Sequence, residues 1–330
     1  MIPRLLGRTG VKVSPIALGT MAFGGDADEA TAASLYRAAR DAGVNLLDSA
    51  DVYNEGRSEE ILGRLMHHER DELVIATKAY FPMGKSPNAR GSSRYHLVRA
   101  VEASLRRLNT DRIDLYYLHR FDDVTDVDET MRALDDLVRG GKILYPAVSN
   151  FAAWQVAHAL GIQRAAGLAP LVAIQPMYNL VKRQVEVEIL PMARSLGVAV
   201  IPYSPTGAGL LTGKYGADRR PEHGRLLDTP MYKTRYASEN MYAIADRFVA
   251  LAGELGHAPT TLAVAWVAAH PAVTSVLIGG RNVDQLAPSL AAMELVLDTE
   301  TRARISALSP EPPPATDRNE EVTAHNYGAR

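Results

Sequence analysis

The segment Val44-Asn45-Leu46-Leu47-Asp48-Ser49-Ala50-Asp51-Val52-Tyr53 gives the first indication of how the chain folds. Its apolar start predicts a short buried strand, after which the chain becomes polar and presents Asp48 and Tyr53. Two later apolar runs end in the same manner, one at Lys78 and the other at His119. If these strands are parallel neighbours, their carboxyl ends bring the four polar side chains to one place.

Seven further apolar runs resemble this strand in length and in their content of β-branched residues. Helical patterns alternate with them at a nearly constant spacing, which is typical of repeated strand–helix units. Eight units predict an α/β fold, a closed (β/α)8 TIM barrel with its active site at the carboxyl ends of the strands. A doubly wound open sheet is the alternative. The predicted strands are residues 16–19, 44–47, 73–77, 115–118, 143–148, 172–174, 198–201 and 275–278.

Two segments fall outside the regular units. Residues 5–13 form two short runs around a glycine-containing turn and predict an N-terminal β-hairpin. The connection between the seventh and eighth strands is too long for a simple crossover. It contains helical patterns at residues 241–255 and 260–269, which are extra helices of the barrel. A polar segment at residues 217–238 is predicted to be an active-site loop, because long loops in compact domains are usually functional.

Composition restricts the class of protein. We interpret the 330 residues as one domain, with residues 310–330 as a surface or flexible tail. A net charge of −2 argues against nucleic acid as a partner. The absence of cysteine excludes disulfides and thiolate nucleophiles. No apolar run has the length of a membrane helix, and Met1-Ile2-Pro3-Arg4 does not begin a signal peptide, so we expect a cytoplasmic protein.

A glycine-rich segment, residues 207–213, follows the seventh predicted strand. It nearly matches G-x-G-x-x-G, but its last glycine comes one position late and it does not open a βαβ unit, which argues against a Rossmann site. It also resembles the end of a P-loop, but Ala208 and Tyr215 replace residues that ATP binding requires. Its backbone N–H groups could still bind a phosphate.

A second glycine-containing segment follows the eighth predicted strand. Asn282 and Gln285 are spaced as a helix N-cap and its capping-box partner, and Gly280-Arg281 precedes them. Free N–H groups and a guanidinium at a helix N-terminus favour an anion. The loops after strands seven and eight are the usual phosphate sites of TIM barrels. A plain turn with a solvated arginine is the alternative.

The four polar residues at the strand ends are each unremarkable alone, but together they fit one reaction. Reduction of a carbonyl by hydride transfer needs a proton donor for the developing alkoxide. Tyr53 can fill that role if the Lys78 ammonium lowers its pKa. Asp48 would keep Lys78 charged and fixed, and a neutral His119 would donate a hydrogen bond to the carbonyl oxygen. We find no cluster of metal ligands and predict no metal.

These motifs resemble those of the aldo-keto reductases along nearly the whole chain, from Leu5 to about Leu297. Leu18-Gly19-Thr20-Met21 is similar to the opening strand of that family. Residues 48–53, followed by Gly56-Arg57-Ser58-Glu59, resemble its first signature. With Lys78 and His119 they complete what resembles its catalytic tetrad of Asp48, Tyr53, Lys78 and His119.

The resemblance also implies where NADPH or NADP would bind. Ser149, Asn150 and Gln175 would hold the nicotinamide carboxamide, and Tyr203 would stack on the ring. Residues 204–214 would cover the pyrophosphate, and Gly280, Arg281 and Gln285 would hold the adenosine phosphate. Ser289 stands where an adenine-contacting asparagine is usual. The full set of implied cofactor residues is Gly19, Thr20, Met21, Asp48, Ser149, Asn150, Gln175, Tyr203, Ser204, Pro205, Gly207, Gly209, Leu210, Lys214, Gly280, Arg281, Gln285 and Ser289.

The resulting hypothesis is NADPH-dependent reduction of an aldehyde or ketone, which includes sugars, with a small-molecule carbonyl substrate. Two alternatives stay open at this point: reduction of a nucleotide-linked keto-sugar in deoxysugar synthesis, and a cofactor-sensing regulatory subunit. Departures from the family pattern occur at Leu144, Pro146 and Thr206, and Pro146 predicts a local irregularity in its strand. The sequence does not fix the substrate, the oligomeric state or the direction of the reaction.

Overall fold

A computed structural model describes residues 2–315 of the chain. Its strands are β1 (Arg4–Leu5), β2 (Lys12–Val13), β3 (Ile16–Gly19), β4 (Leu46–Asp48), β5 (Val74–Ala79), β6 (Ile113–Leu118), β7 (Ile143–Ser149), β8 (Ala173–Gln175), β9 (Ala199–Val200) and β10 (Val276–Ile278). Its α-helices are α1 (Glu29–Asp41), α2 (Arg57–Met66), α3 (Arg94–Leu108), α4 (Val127–Arg139), α5 (Ala153–Ala166), α6 (Ile189–Leu196), α7 (Arg225–Asp228), α8 (Pro230–Arg235), α9 (Glu239–Glu254), α10 (Pro259–Ala268), α11 (Val283–Leu290) and α12 (Thr299–Ser306).

Eight parallel strands form the sheet at the centre of the molecule, in the order β10-β3-β4-β5-β6-β7-β8-β9. The two outer strands of that order meet. Thr274 N donates to Val200 O at 2.8 Å, and Leu277 N donates to Pro202 O at 2.9 Å. These bonds close the sheet, so the predicted (β/α)8 barrel and all eight predicted strands are confirmed.

The predicted hairpin is also confirmed and covers the amino-terminal end of the barrel. Strands β1 and β2 pair antiparallel, with Arg4 opposite Val13. Leu6 and Val13 are fully buried and pack against the side chains that fill the barrel interior, among them Leu46, Leu115 and Tyr117. Because this end is filled, the interior is a packed core and only the opposite end is left for a site.

Helix ends explain how the strand–helix units are delimited. Asp28 caps α1 by accepting from Thr31 N at 2.8 Å, and Ser93 caps α3 by accepting from His96 N at 3.3 Å. Gly197 ends α6 in the left-handed conformation, with φ of +71°. Such caps satisfy backbone groups that have no partner inside the helix, so each of these helices begins or ends at its capping residue.

Three expectations about irregular segments have different outcomes. Helices α9 and α10 confirm the helical patterns between the last two strands, but residues 217–238 also contain the short helices α7 and α8. The irregularity expected at Pro146 is wrong, because β7 is continuous and Pro146 lies opposite Tyr116. Of the predicted tail, residues 316–330 lie outside the described part. Among residues 2–315, no helix has the length and apolarity needed to cross a membrane.

Candidate active site

The centre of the site is a buried ion pair at the carboxyl end of the barrel. Asp48 ends β4 and is 2% exposed, whereas Lys78 lies near the end of β5 and is fully buried. Lys78 Nζ donates to Asp48 Oδ1 and, at 2.6 Å, to Ser49 O. Asp48 Oδ2 accepts from Gln175 Nε2 at 2.8 Å. The parallel register pairs Asp48 with Ala76, and Lys78 lies two residues further along β5, where side chains point to the same face as Ala76.

Tyr53 and His119 flank this pair. Tyr53 begins the short 3-10 turn Tyr53–Gly56 that follows β4, and Lys78 Nζ lies 5.2 Å from the centroid of its ring. His119 directly follows β6, and its ring meets that of Tyr53 edge to face with 6.0 Å between centroids. Phe81 packs against the other side of His119, 5.0 Å away. The structure therefore brings together the four residues predicted from the strand ends.

Electrostatics within the ion pair are balanced between burial and attraction. Burial raises the pKa of Asp48, and the Lys78 charge and two hydrogen bonds oppose that shift. Burial lowers the pKa of Lys78, and the charges of Asp48, Asp51 and Glu59 oppose it. Each member has two hydrogen-bond partners, which support the ionised form of the pair.

The two flanking groups are both neutral near pH 7. Burial, followed by the Lys78 charge, lowers the pKa of His119 to about 3, which agrees with the predicted neutral imidazole. The expectation for Tyr53 is wrong in direction. Burial, followed by the nearby Asp48 carboxylate, raises the pKa of Tyr53 above its ordinary value. The phenol is therefore protonated at neutral pH, and transfer of its proton depends on stabilisation of the phenolate that is left.

A second network of polar groups adjoins the ion pair through Gln175. Ser149 Oγ donates to Gln175 O at 2.9 Å, and Asn150 Nδ2 donates to Ser149 Oγ at 3.1 Å and to His119 O at 2.9 Å. Tyr203 OH donates to Asn150 Oδ1 at 2.7 Å. Asn150 has φ of +57°, a conformation that strains most side chains and is typical of functional positions. The four residues assigned by resemblance to the nicotinamide thus form one connected group.

The residues predicted at the opening strand line the same end of the barrel. Thr20 is fully buried, and its N and Oγ1 both donate to Asp48 O, at 2.9 and 3.1 Å. Met21 is 41% exposed beyond it. A side chain at Gly19 would lie 3.3 Å from Ile278 O, so glycine permits the close approach of β3 and β10. These residues support the position of Asp48 as well as offering a surface for a ligand.

The glycine-rich segment forms an irregular loop with many residues in the left-handed region. Ser204, Gly207, Ala208, Gly209 and Gly213 all have positive φ angles. Within this segment Pro205 and Leu210 are buried and fix the loop against the barrel. Several backbone N–H groups bond within the loop, among them Gly207 N to Ser204 O and Leu211 N to Thr206 O, both at 3.0 Å, so a phosphate would be bound by the amides that remain.

Cationic side chains gather beside this loop. Burial lowers the pKa of Lys214, and the nearby charges of Arg281 and Arg225 lower it further. Among residues 2–315, no carboxylate forms an ion pair with Lys214 or Arg225, whereas Arg281 Nε lies 3.0 Å from Asp26 Oδ2. Three neighbouring cations with one carboxylate suit a ligand with several negative charges. A dinucleotide carrying an additional phosphate fits this donor set.

The loop after β10 has the predicted helix start, with one change. Asn282 caps α11, and its Oδ1 accepts from Gln285 N at 3.0 Å. The Gln285 side chain, however, accepts from Arg281 N at 3.2 Å and not from the N-cap residue, so the reciprocal half of the capping box is shifted by one residue. Gly280 stands before this start, and Ser289 is buried within α11.

Comparison with known proteins decides the family. The sequence matches the model of the Aldo/keto reductase family over residues 15–310. The chain belongs to this family. It is 38% identical over 322 residues to an uncharacterized oxidoreductase, YrpG, of Bacillus subtilis (strain 168), covering 93% of this chain and 95% of that protein. Together with the family match, this relative supports general carbonyl reduction by an oxidoreductase.

Other relatives carry a different name. The chain is 34% identical over 331 residues to a probable voltage-gated potassium channel subunit beta of Oryza sativa subsp. japonica, covering 94% of this chain and 98% of that protein. A protein of the same name from Arabidopsis thaliana is 34% identical over 308 residues, covering 88% of this chain and 90% of its own length. Relatives of this chain therefore carry both an oxidoreductase name and a channel-subunit name.

One polar group of this aldo/keto reductase was not assigned a role from the sequence. Asp51 is 1% exposed, and neither of its carboxylate oxygens has a hydrogen-bond partner among the described residues. Glu59 is also buried, but it accepts from Thr77 Oγ1 and from Arg107 Nε, both at 2.6 Å. Burial, followed by the Glu59 charge, raises the pKa of Asp51 to about 7. Its location inside the first signature was the only signal that could have identified it.

This raised pKa predicts how stability depends on pH. Asp51 binds its proton more tightly in the folded chain than in the unfolded chain, where the pKa is near 3.8. The resulting stabilisation is present below pH 4 and is lost as the pH rises toward 7. Asp51→Asn does not titrate, so its free energy of unfolding relative to wild type should rise by roughly 2 kcal/mol between pH 4 and pH 6.

Urea unfolding of both proteins at pH 4, 5 and 6 measures this difference. Asp284→Asn removes an exposed carboxylate from α11 and serves as the matched control for loss of an aspartate charge. A pH-independent difference between Asp51→Asn and wild type would show that Asp51 titrates like an exposed aspartate.

Proposed function

We propose that this family member is an NADPH-dependent reductase of aldehydes or ketones. The observation that carries the proposal is the Asp48–Lys78 ion pair buried beside Tyr53 and His119 at the open end of the barrel. Buried ion pairs often contribute little net stability, so stability alone does not explain an ion pair in this position. A site that delivers one proton to a carbonyl oxygen supplies that reason.

Each residue of the tetrad has a distinct task in the proposal. The reduced nicotinamide, when bound, supplies a hydride to the carbonyl carbon. Tyr53 donates its phenolic proton to the carbonyl oxygen, so that hydride and proton together give the alcohol. The neutral His119 imidazole donates a hydrogen bond to the same oxygen and places the carbonyl near Tyr53. Lys78 stabilises the phenolate that remains, and Asp48 holds the ammonium in place.

The cofactor would be held by groups that already face the site. Ser149, Asn150 and Gln175 offer polar atoms for a carboxamide, and Tyr203 offers a flat ring beside them. Residues 204–214 offer backbone N–H groups and Lys214 for the pyrophosphate. Arg281 is placed for a phosphate on the adenosine ribose, which NADPH has and NADH lacks.

A panel of carbonyl compounds assayed by NADPH consumption tests this function. The panel contains aromatic and aliphatic aldehydes, free sugars and a nucleotide-linked keto-sugar, because each would place the substrate in a different class. We expect turnover with at least one compound and loss of that turnover in Tyr53→Phe. NADPH binding without consumption across the whole panel would contradict a reductase.

Arg281 provides a prediction about cofactor choice. A charge-assisted hydrogen bond to a phosphate contributes about 1.5–3 kcal/mol, so Arg281→Ala should raise the Kd for NADPH by roughly 10- to 150-fold. The Kd for NADH should stay almost unchanged, since NADH has no group for this guanidinium. Fluorescence titration of both cofactors measures the two values.

Lys214→Ala is the informative companion to this variant. Lys214 is proposed to face the pyrophosphate that both cofactors share, so its loss should raise the Kd for NADPH and the Kd for NADH by similar factors. If Arg281→Ala instead weakens both cofactors equally, the arginine binds a common group and does not recognise the additional phosphate.

A cofactor-sensing regulatory role is the second candidate, and the names of the plant relatives favour it. In that case the same groups would bind NADPH, but turnover would be slow with every carbonyl and a protein partner would bind tightly. The complete tetrad favours the enzyme. Turnover numbers from the panel, compared with affinity capture by a cofactor-loaded protein, separate the two roles.

A further inference from the structure

Asp26 is the carboxylate that occupies Arg281 in this structure. It lies in the loop between β3 and α1, and Arg281 lies in the loop after β10. Strands β3 and β10 are paired neighbours in the barrel, so both loops emerge side by side at the end that carries the site. Arg281 Nε and Asp26 Oδ2 are 3.0 Å apart, with both side chains about half exposed.

The loop around Asp26 is fixed from two sides. Within it, Gly24 N donates to Ala27 O at 2.8 Å and Ala27 N donates to Ala22 O at 2.9 Å. From outside, Asn54 Nδ2 donates to Met21 O at 2.9 Å and to Phe23 O at 2.8 Å.

Asn54 belongs to the turn that begins with Tyr53, so the catalytic segment itself holds this loop. Gly25 packs directly on Asn54, since a Cβ at that position would overlap Asn54 Oδ1. The carboxylate is thus presented by a braced loop, next to a guanidinium that is close to Lys214.

We infer that Asp26 is a specificity-determining residue that reduces the preference for NADPH over NADH. The inference rests on the proposed function, because it assumes that Arg281 faces the ribose phosphate. The Asp26 carboxylate and the ribose phosphate would compete for the same guanidinium. Once the phosphate binds, the two anions repel each other. NADH brings no such phosphate, so Asp26 leaves its binding unaffected.

Asp26→Asn tests this directly, because the amide keeps the shape and removes the charge. We expect the Kd for NADPH to fall by roughly 2- to 5-fold, the effect of removing one exposed competing charge. The Kd for NADH should change by less than about two-fold. Adenosine 2′,5′-bisphosphate and adenosine 5′-monophosphate, titrated by calorimetry, should repeat this contrast without the nicotinamide.

Two controls show whether the effect passes through Arg281. Asp284→Asn removes a carboxylate three residues from Arg281 that forms no ion pair among the described residues, and it should leave the NADPH affinity within about two-fold of wild type. In the Arg281→Ala background, Asp26→Asn should no longer strengthen NADPH binding, because the guanidinium that Asp26 competes for is absent.

Three results would overturn the inference. An unchanged NADPH affinity in Asp26→Asn would mean that the ion pair is only a solvated surface contact. A weaker NADPH affinity would mean that Asp26 orients Arg281 for the phosphate. An equal fall in the Kd for NADPH and for NADH would mean that the Asp26 charge repels both cofactors alike and does not act on the additional phosphate. Failure of the proposed function differs from all three, since wild type would then either bind NADPH without consuming it with any carbonyl or bind neither cofactor.

Discussion

Tyr53→Phe should lower kcat for carbonyl reduction by roughly 10²- to 10⁴-fold, the usual contribution of a positioned general acid. The substitution removes only the hydroxyl and leaves the ring that contacts His119 and Lys78. Burial and Asp48 raise the pKa of Tyr53, so the wild-type phenol is protonated throughout the neutral range. The proton is therefore available for reduction, and phenylalanine has none to give.

Steady-state NADPH consumption at saturating carbonyl measures the change in kcat, and fluorescence titration measures the Kd for NADPH, which should stay within about two-fold of wild type. Tyr232→Phe is the matched control. Tyr232 is a half-buried tyrosine near enough to affect the pKa of Tyr53, yet it lies outside the tetrad. A Tyr53→Phe enzyme that retains more than half of the wild-type kcat would remove Tyr53 from the donor role.

The barrel and the tetrad could be predicted because they depend on local patterns. Short apolar runs ending in Asp48, Lys78 and His119 fix the strands, and parallel pairing brings their carboxyl ends together. The cap at Asn282 follows equally from local chemistry, because an N-cap bonds a residue only three positions away. The Gln285 side chain has several backbone N–H groups within reach, and its choice of Arg281 N was not predictable.

The features that sequence did not reveal depend on contacts between distant segments. Asp26 and Arg281 are separated by most of the chain, and nothing in the sequence around Asp26 distinguishes it from an ordinary loop aspartate. The pKa of Tyr53 has a similar origin. Its direction is set by burial, followed by the Asp48 carboxylate, and both effects depend on how the folded chain surrounds the phenol.

The second large effect concerns stability and the Asp48–Lys78 pair. Lys78→Met should lower the free energy of unfolding by about 3–5 kcal/mol, because it leaves the Asp48 carboxylate buried without a counter-charge. This differs from a purely catalytic role for Lys78, which would reduce the rate with little effect on folding. Urea unfolding at pH 7 measures the loss.

Adding Asp48→Asn to Lys78→Met provides the matched control. An asparagine at position 48 carries no charge, and its side-chain oxygen can still accept from Gln175 Nε2, which donates to Asp48 at 2.8 Å in the wild type. The double variant should therefore recover most of the stability lost by Lys78→Met, with a coupling energy of roughly 2 kcal/mol or more. If each substitution destabilises independently of the other, the pair does not control stability.

Activity should not recover with stability, and this separates the two roles of the pair. The double variant regains a satisfied interior but still lacks the ammonium that lies 5.2 Å from the Tyr53 ring. In the proposed mechanism that charge stabilises the phenolate left after proton transfer, so kcat of the double variant should stay as low as that of Lys78→Met. Recovery of both stability and kcat would show that Lys78 serves only to neutralise Asp48, and that Tyr53 transfers its proton without electrostatic help.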